Sequence, residues 1–454
     1  MKTKNWHSNQ TWLWISIAIF AGLLIYALSF EWLSLSGFWS YRRGFVMFSG
    51  VVPFALMTLC MLTAIRSTVL EKYFHGLDKM YHLHKWAAIF AFVGVIIHWF
   101  AEKGIKLLAI SELVAFPPRE KPPVPDVDTL SVWWGYIQQF ETPAKIFGEL
   151  GFYVLIAFVL CALLSKIPYR IFQKMHRFIA VLYLFIVFHA IFLMPMAWWS
   201  TPAAYLIIAL SVIGTFGAIS SLLRTYNKKH RHDATVESIR ETNTGLIDLT
   251  LKLKNGRNFE FKPGQFIFID FAPLEAQHPF TIAAATANTL RFAIKPSGDF
   301  TNKMAELIHA GQTVSVEGPY GDFDFKSTQP HQIWIAGGIG IAPFIAQLQV
   351  LAKKPDPSKQ IDFWYSTVTE EENNFPPQLD ELCAKANVTL HRVITSKDGY
   401  LDAAKIIHEV GHDQLQQSSV WFCGPQKFGT NLKAALTQSG LAKNNFQNEL
   451  FNFR

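Results

Sequence analysis

Four histidines fall on two apolar stretches of the chain at nearly matched spacing. His84 and His98 are fourteen residues apart in MYHLHKWAAIFAFVGVIIHWF, residues 80 to 100, and His176 and His189 are thirteen apart further on. An imidazole in hydrocarbon is costly unless something compensates it. At 1.5 Å per residue, a helical stretch places its two histidines about 20 Å apart. If both stretches cross the membrane in the same direction, the rings form two pairs at two depths, His84 with His176 and His98 with His189. Imidazoles on both axial faces are a standard way to hold haem iron, and two stacked haems make a path for electrons. Phe92 and Phe185 lie midway between the histidines of their stretches and could pack between the macrocycles or in the apolar core.

Helical geometry favours one pair more than the other. Fourteen steps of 100° fall about 40° short of four turns, which keeps His84 and His98 on one face and disfavours His82. Thirteen steps leave His176 and His189 about 140° apart, so that stretch is either distorted or presents its rings from two flanks. The bland alternative is interfacial or core histidines satisfied by backbone carbonyls. It would hold for one alone, but four at matched depths outweigh it.

The elements that must position these rings are legible in the composition. Half of the 454 residues are hydrophobic and only 17% charged, with 39 Phe and 14 Trp, too apolar for an ordinary soluble chain of this length. Uncharged runs cover residues 11–30, 44–65, 86–101, 150–165 and 178–223. A span needs about 20 apolar residues, so the last run holds two helices, turned at Met194-Pro195 and Ser200-Thr201-Pro202, and the count is six. The first run has no small-residue cleavage site and reads as an uncleaved span. Basic residues gather at Lys2 and Lys4, between Arg66 and Lys85, between Lys166 and Arg177, and between Arg224 and Arg231. Such residues stay in the cytoplasm, which places both termini there in a multi-pass protein of the cell membrane. The net charge of +7 follows from this topology, and nothing in it points to nucleic acid. The Pro-rich FPPREKPPVPDVD suits an extended arm on the outer side, and LSVWWGYIQQF an interfacial segment. Cys60, Cys161, Cys383 and Cys423 show no spacing of a disulfide framework or zinc site.

After Arg231 the pattern changes. TGLIDLTLKLKNGRNFEFKPGQFIFIDF alternates with period two and is punctuated by Asn-Gly and Pro-Gly, which predicts a small antiparallel β-barrel. From Gln332 onward, short buried strands alternate with helical segments, which predicts a parallel α/β sheet. The expected division is a transmembrane domain over 1–229, a β-barrel domain over 230–328 and an α/β nucleotide-binding domain over 329–454. In the last, WIAGGIGIAPF is a strand, a glycine turn and a helix start. Gly337, Gly338 and Gly340 would let the main chain approach a nucleotide phosphate, with Pro343 in the first helical turn. A glycine turn alone is weak evidence, and this one is not the GxGxxG fingerprint.

HPFT, His278 to Thr281, and IKPSGDFTNKM, Ile294 to Met304, carry a specific resemblance. The chain resembles the ferric reductase and NADPH oxidase superfamily, whose flavin domains carry HPFT-type and GD(F/W)T-type motifs in that order, and the paired histidines of the third and fifth spans extend the resemblance over nearly the whole chain. It implies FAD bound by His278, Pro279, Phe280 and Thr281 along the isoalloxazine and ribityl region. It places Lys295, Gly298, Asp299, Phe300 and Thr301 near the pyrophosphate. It implies a nicotinamide nucleotide site made by the glycine turn with Phe422, Cys423, Gly424 and Pro425, the cysteine lying beside the nicotinamide. In the tail NELFNFR, Phe453 matches an aromatic that covers the flavin face, ahead of Phe451; the alternative is that both anchor the tail.

These parts describe NADPH or NADH delivering hydride to FAD, and electrons passing singly through two haems b to an outer acceptor. One departure bears on that acceptor. Many relatives carry another histidine four residues after the outer ligand of the third span, where this chain has Glu102. A carboxylate there favours ferric complexes over dioxygen reduced to superoxide, and leaves quinone or a periplasmic partner protein open. Ser366, Arg392, Thr395 and Ser396 are candidates to face a 2′-phosphate. A reading from another class is a transporter or sensor with a regulatory nucleotide domain, its histidines serving a proton or metal path.

Overall fold

Among the described residues six helices are long and apolar enough to cross a membrane: Gln10–Leu28, Gly37–Ala64, Leu77–Ile110, Glu141–Ala162, Ile171–Phe192 and Pro202–His230. The computed structural model describes residues 6–74, 76–111, 115–118, 132–163, 169–224, 226–254, 259–272, 274–275, 277–373 and 376–449. Phe451, Phe453 and most of the Pro-rich arm lie outside them. The helices of the first half are α1 (Trp6–Leu28), α2 (Gly37–Ala64), α3 (Thr68–Phe74), α4 (Leu77–Trp99), α5 (Ile105–Ile110), α6 (Val132–Gln138), α7 (Glu141–Leu163), α8 (Tyr169–Phe192) and α9 (Pro202–Leu223).

Several spans outrun the uncharged runs that mark them in the sequence, because charges ride on the helices in pairs. Arg42, inside α2, donates to Glu102 Oε2 at 2.8 Å, and Lys103 donates to Glu149 at 2.9 Å. The third span continues through a π-turn, Phe100–Gly104, into α5. Small residues let these helices close on one another. A Cβ at Gly217 of α9 would lie 2.8 Å from the Met61 carbonyl oxygen of α2. Tyr183 of α8 shares a 2.8 Å hydrogen bond with Thr58 and stacks on Phe54 with an interplanar angle of 1°.

The chain divides into two units: residues 8–67 with 80–226, which hold the helices just described, and a second comprising 1–7, 68–79 and 227–454. The second contains two sheets. The first is antiparallel with strand order β4-β3-β7-β1-β2-β6-β5, built from β1 (Arg231–Glu241), β2 (Ile247–Leu253), β3 (Phe266–Asp270), β4 (His278–Thr281), β5 (Ala284–Ala285), β6 (Thr289–Ile294) and β7 (Thr313–Tyr320). It curls around a core that includes Leu249, Leu251, Ile267, Phe271, Phe292 and Val316. The period-two pattern of β2 is the reason: Ile247, Leu249, Leu251 and Leu253 are buried and the residues between them are not. The second sheet is parallel, order β10-β9-β8-β11-β12, from β8 (His331–Gly337), β9 (Gln360–Thr367), β10 (Thr389–Ile394), β11 (Ser418–Cys423) and β12 (Phe446–Asn448). Strand order reverses between β8 and β11, which opens a crevice at their carboxyl ends.

The short helix α3 belongs to this second unit although it lies between two spans in sequence. Its Glu71 is buried, and Oε1 accepts the Gly321 N–H at 2.6 Å. Burial lifts that carboxyl to about 7, against the Gly321 hydrogen bond and with the help of Asp322 and Asp78.

Candidate functional site

Within the helical unit the four histidine rings meet in two pairs. The ring centroids of His84 and His176 are 5.9 Å apart, and those of His98 and His189 are 6.2 Å apart. Both rings of α4 are held by α2. Nδ1 of His84 donates to the Cys60 carbonyl at 3.1 Å, and Nδ1 of His98 to the Val46 carbonyl at 3.0 Å. Nδ1 of His189 donates to the Ala144 carbonyl of α7 at 2.9 Å. A carbonyl only accepts, so Nδ1 carries the proton on all three rings and Nε2 keeps its lone pair. His176 is held by ring contacts instead, with Phe158 at 5.4 Å and Phe172 at 5.6 Å.

The thirteen-residue offset on α8 is met without distortion. Tyr169–Phe192 is continuous α-helix, so His176 and His189 reach inward from two flanks. Gly148 of α7 makes room for the second, since a Cβ there would fall 3.1 Å from Cγ of His189. His82 points elsewhere, accepting the Trp86 indole N–H at 3.2 Å and meeting Thr11. Phe185 stacks on Phe147 with centroids 4.8 Å apart, and Phe92 is half-buried on α4. Glu102 is not a bare carboxylate: it pairs with Lys106 and Arg42. Arg42 lies sixty positions away, and no local pattern marks it as the partner.

In the antiparallel sheet, β4 carries HPFT at the end of the strand order, paired with β3, where Pro279 has no N–H to waste. The two flavin motifs touch: His278 stacks on Phe300 at 5.1 Å and 14°. Burial holds the His278 imidazole below its ordinary range, Glu275 opposing. Phe280 packs against the barrel core, and Thr281 pairs with Phe266 across the ladder. In the following turn, the Thr301 hydroxyl accepts the N–H groups of Ser297 and Gly298, each at 3.0 Å. That hydroxyl therefore shapes the turn. Gly298 faces open space beyond it, Asp299 follows it, and Lys295 lies 3.4 Å from Glu372.

The parallel sheet brings the glycine turn and the FCGP segment together at the carboxyl ends of β8 and β11. A Cβ on Gly340 would collide with the Cys423 carbonyl, and one on Gly337 would lie 2.8 Å from Pro425 Cδ. A Cβ on Gly424 would in turn lie 3.0 Å from Gly337 Cα. Gly338 has φ +55° with open space where a side chain would project, a close-approach position for a ligand. Pro343 is buried in the first turn of the helix Ala342–Lys353. Phe422 is turned into the core against Phe446 and Phe428. Of the residues considered for a 2′-phosphate, Arg392 is engaged by Asp380 at 2.7 Å, Ser366 is buried on β9, and Thr395 donates to the Thr367 carbonyl at 3.1 Å. Ser396 donates its backbone N–H to Val368 at 3.3 Å.

One residue of this crevice was missed in the sequence. Glu449, next to the tail, is buried with Oε2 lacking a hydrogen-bond partner among the described residues. Burial raises both Glu449 and the nearby Cys423 thiol well above their ordinary ranges, and the charge Glu449 would otherwise carry adds to the shift of Cys423. A polar cleft lined by Asp78, Lys79, Asp322, Trp421, Gln447 and Glu449 lies there. The signal available in sequence was a lone acidic residue between a strand and an aromatic tail.

Comparison with known proteins bears on all three parts. Residues 49–187 match the ferric reductase like transmembrane component, 231–324 an FAD-binding domain, and 334–433 the oxidoreductase NAD-binding domain. The anthranilate 1,2-dioxygenase electron transfer component of Acinetobacter baylyi is 25% identical over 225 residues, covering 48% of this chain and 65% of that protein. A flavohemoprotein of Burkholderia sp. is 26% identical over 212 residues, 43% of this chain and 52% of that one. The chain thus spans less than two thirds of either relative. The FAD/NAD-binding domain of nitric oxide dioxygenase from Vibrio cholerae superposes with a TM-score of 0.43 at 20% identity, over 48% of this chain and 98% of that structure. With FAD- and NAD-binding oxidoreductase domains following a ferric reductase-like membrane component, the chain has the architecture of the ferric reductase and NADPH oxidase superfamily.

Proposed function

We propose that this NAD(P)H-dependent oxidoreductase moves electrons from cytoplasmic NADPH or NADH, through FAD and two b-type haems, to an acceptor on the outer face, either ferric complexes or dioxygen. The observation that carries the reading is the pair of histidine couples. Two metal–imidazole bonds of about 2 Å, plus half the width of each ring, require centroids about 6 Å apart, and the two couples stand at 5.9 and 6.2 Å. Three of the four rings also show the outer-shell N–H to carbonyl bond typical of metal ligands. His84 and His176 would hold one haem and His98 and His189 the other.

The flavin supplies the conversion of a hydride pair into single electrons. The chain's own residues supply the rest. The β4 edge and the Ser297–Thr301 turn would seat the flavin and its phosphates, and the crevice between β8 and β11 would seat the nicotinamide nucleotide, with Gly338 allowing close approach and Cys423 and Glu449 beside it. The basic loops support an orientation with both termini and the nucleotide domains in the cytoplasm of a bacterial inner membrane. Around the outer couple, Arg42, Lys103 and Lys106 face Glu102 and Glu149. This leaves one net positive charge, which supports anionic ferric chelates, or superoxide formation, more than a free cation.

The test is a reduced-minus-oxidised spectrum of the purified protein with NAD(P)H as reductant. Two low-spin haems per chain, with one lost on His98→Ala or His189→Ala, are expected. Retention of both haems in all four single histidine variants would refute ligation. Parallel assays of ferrous iron and superoxide then assign the acceptor.

A further inference from the structure

Helix α2 carries the same small device twice. At one station, Nδ1 of His84 lies 3.1 Å from the Cys60 carbonyl and 3.0 Å from Thr63 Oγ1; at the other, Nδ1 of His98 lies 3.0 Å from the Val46 carbonyl and 3.4 Å from Ser49 Oγ. In each the hydroxyl sits three residues after the carbonyl and spends its own proton on the α2 backbone: Ser49 donates to the Val46 carbonyl at 3.1 Å, and Thr63 to the Leu59 carbonyl at 2.9 Å with the Cys60 carbonyl at 3.1 Å. The hydroxyl oxygen is thereby left as a second acceptor for the imidazole N–H.

The stations are fourteen residues apart on α2, the same interval that separates the two histidines on α4. The two helices run antiparallel, since the earlier station serves the later histidine. Fourteen residues are two heptads, the repeat at which a left-handed helix pair keeps the same face in contact. The equal intervals therefore put both imidazoles on identical footing against one helix. Among the described residues nothing comparable supports α8, where His189 has a carbonyl and His176 has ring contacts.

We infer that Ser49 and Thr63 are positioning residues that set the reduction potentials of the two haems separately, each through the imidazole it touches. This rests on the haem reading above. An N–H shared between two acceptors makes the opposite nitrogen a stronger donor to iron, which favours the ferric state. Removing the hydroxyl should shift that balance toward ferrous iron.

The experiment is a spectroelectrochemical titration of the purified full chain. Thr63→Val is expected to raise the midpoint potential of the His84 haem by about fivefold in the ferric-to-ferrous ratio, roughly 40 mV at 59 mV per decade, and to leave the other unchanged. Ser49→Ala should act on the His98 haem alone and less strongly, its contact being longer. Thr63→Ser, which retains the hydroxyl, should restore the parent potential. Variants that hold two haems at unshifted potentials would overturn the inference, as would an equal shift of both haems from one substitution or haem loss from both Thr63→Val and Thr63→Ser. Absence of haem from the parent protein, measured as pyridine haemochrome, would instead remove the haem reading itself.

Discussion

Replacing Glu71 with glutamine should make the docking of α3 independent of pH. The carboxyl is buried and accepts the Gly321 N–H at 2.6 Å, and burial raises it from 4.5 to about 7. A raised carboxyl binds its proton more tightly when docked than when free, so docking is strongest below about pH 4.5 and weakens as pH rises through 7, above which the loss is complete. At 1.36 kcal/mol per pH unit, the difference between 4.5 and about 7 caps the effect at about 3.4 kcal/mol, and relaxation around the charge brings it to roughly 1–2 kcal/mol. Glutamine keeps an acceptor for Gly321 and has no charge to bury. Hydrogen exchange of peptides covering residues 68–74, compared between variant and parent at each pH so that intrinsic exchange cancels, reads this directly. The protection ratio should climb from near one at pH 5 to about tenfold at pH 8. A ratio that does not change with pH, or a variant less protected than the parent at pH 8, would refute the reasoning.

Two further substitutions follow from the same geometry. Gly148→Ala would place a methyl within 3.1 Å of Cγ of His189 and closer still to Nδ1, so the ring must leave its place; the haem-to-protein ratio should fall from two to one with the His84 haem spectrum intact. Asp362 accepts from His331 at 2.7 Å and His391 at 2.8 Å, and these bonds hold its carboxyl down to about 2, against burial. Asp362→Ala should cost about 1–3 kcal/mol by leaving Nε2 of buried His331 and of part-buried His391 without its partner, seen as a lowered unfolding temperature of the detergent-solubilised chain; the parent should lose the same support as pH falls from about 4 to 2.

How much of this was legible in the sequence depends on the range of the interaction. The six spans, the period-two strands and the strand–helix alternation were readable because hydrophobic periodicity is local. The pairing of His84 with His176 and of His98 with His189 followed from spacing and direction alone. What holds those rings did not, since Val46, Cys60 and Ala144 contribute carbonyls, which every residue has. The spacing of thirteen on α8 left two solutions, and the unbroken helix Tyr169–Phe192 distinguishes them, with Gly148 leaving room for the His189 ring. Glu102 shows both ranges: Lys106 stands one helical turn further on, but Arg42 is brought beside it only by helix packing. Glu449 was invisible because its burial depends on β12 joining β11, a contact made by the last strand of the sheet.

That α3 packs with residues 227–454 has a consequence for how the protein is made. Residues 68–79 leave the ribosome roughly 150 positions ahead of the unit they complete, which at about 5–20 residues per second is a delay of roughly 7–30 s. During that interval Glu71, Phe74 and Leu77, all buried in the finished structure, wait at the membrane surface without their partners. A carboxyl-terminal fragment expressed alone would lack one of its own helices. Supplying residues 68–79 as a separate peptide is therefore the natural way to recover that fragment in native form.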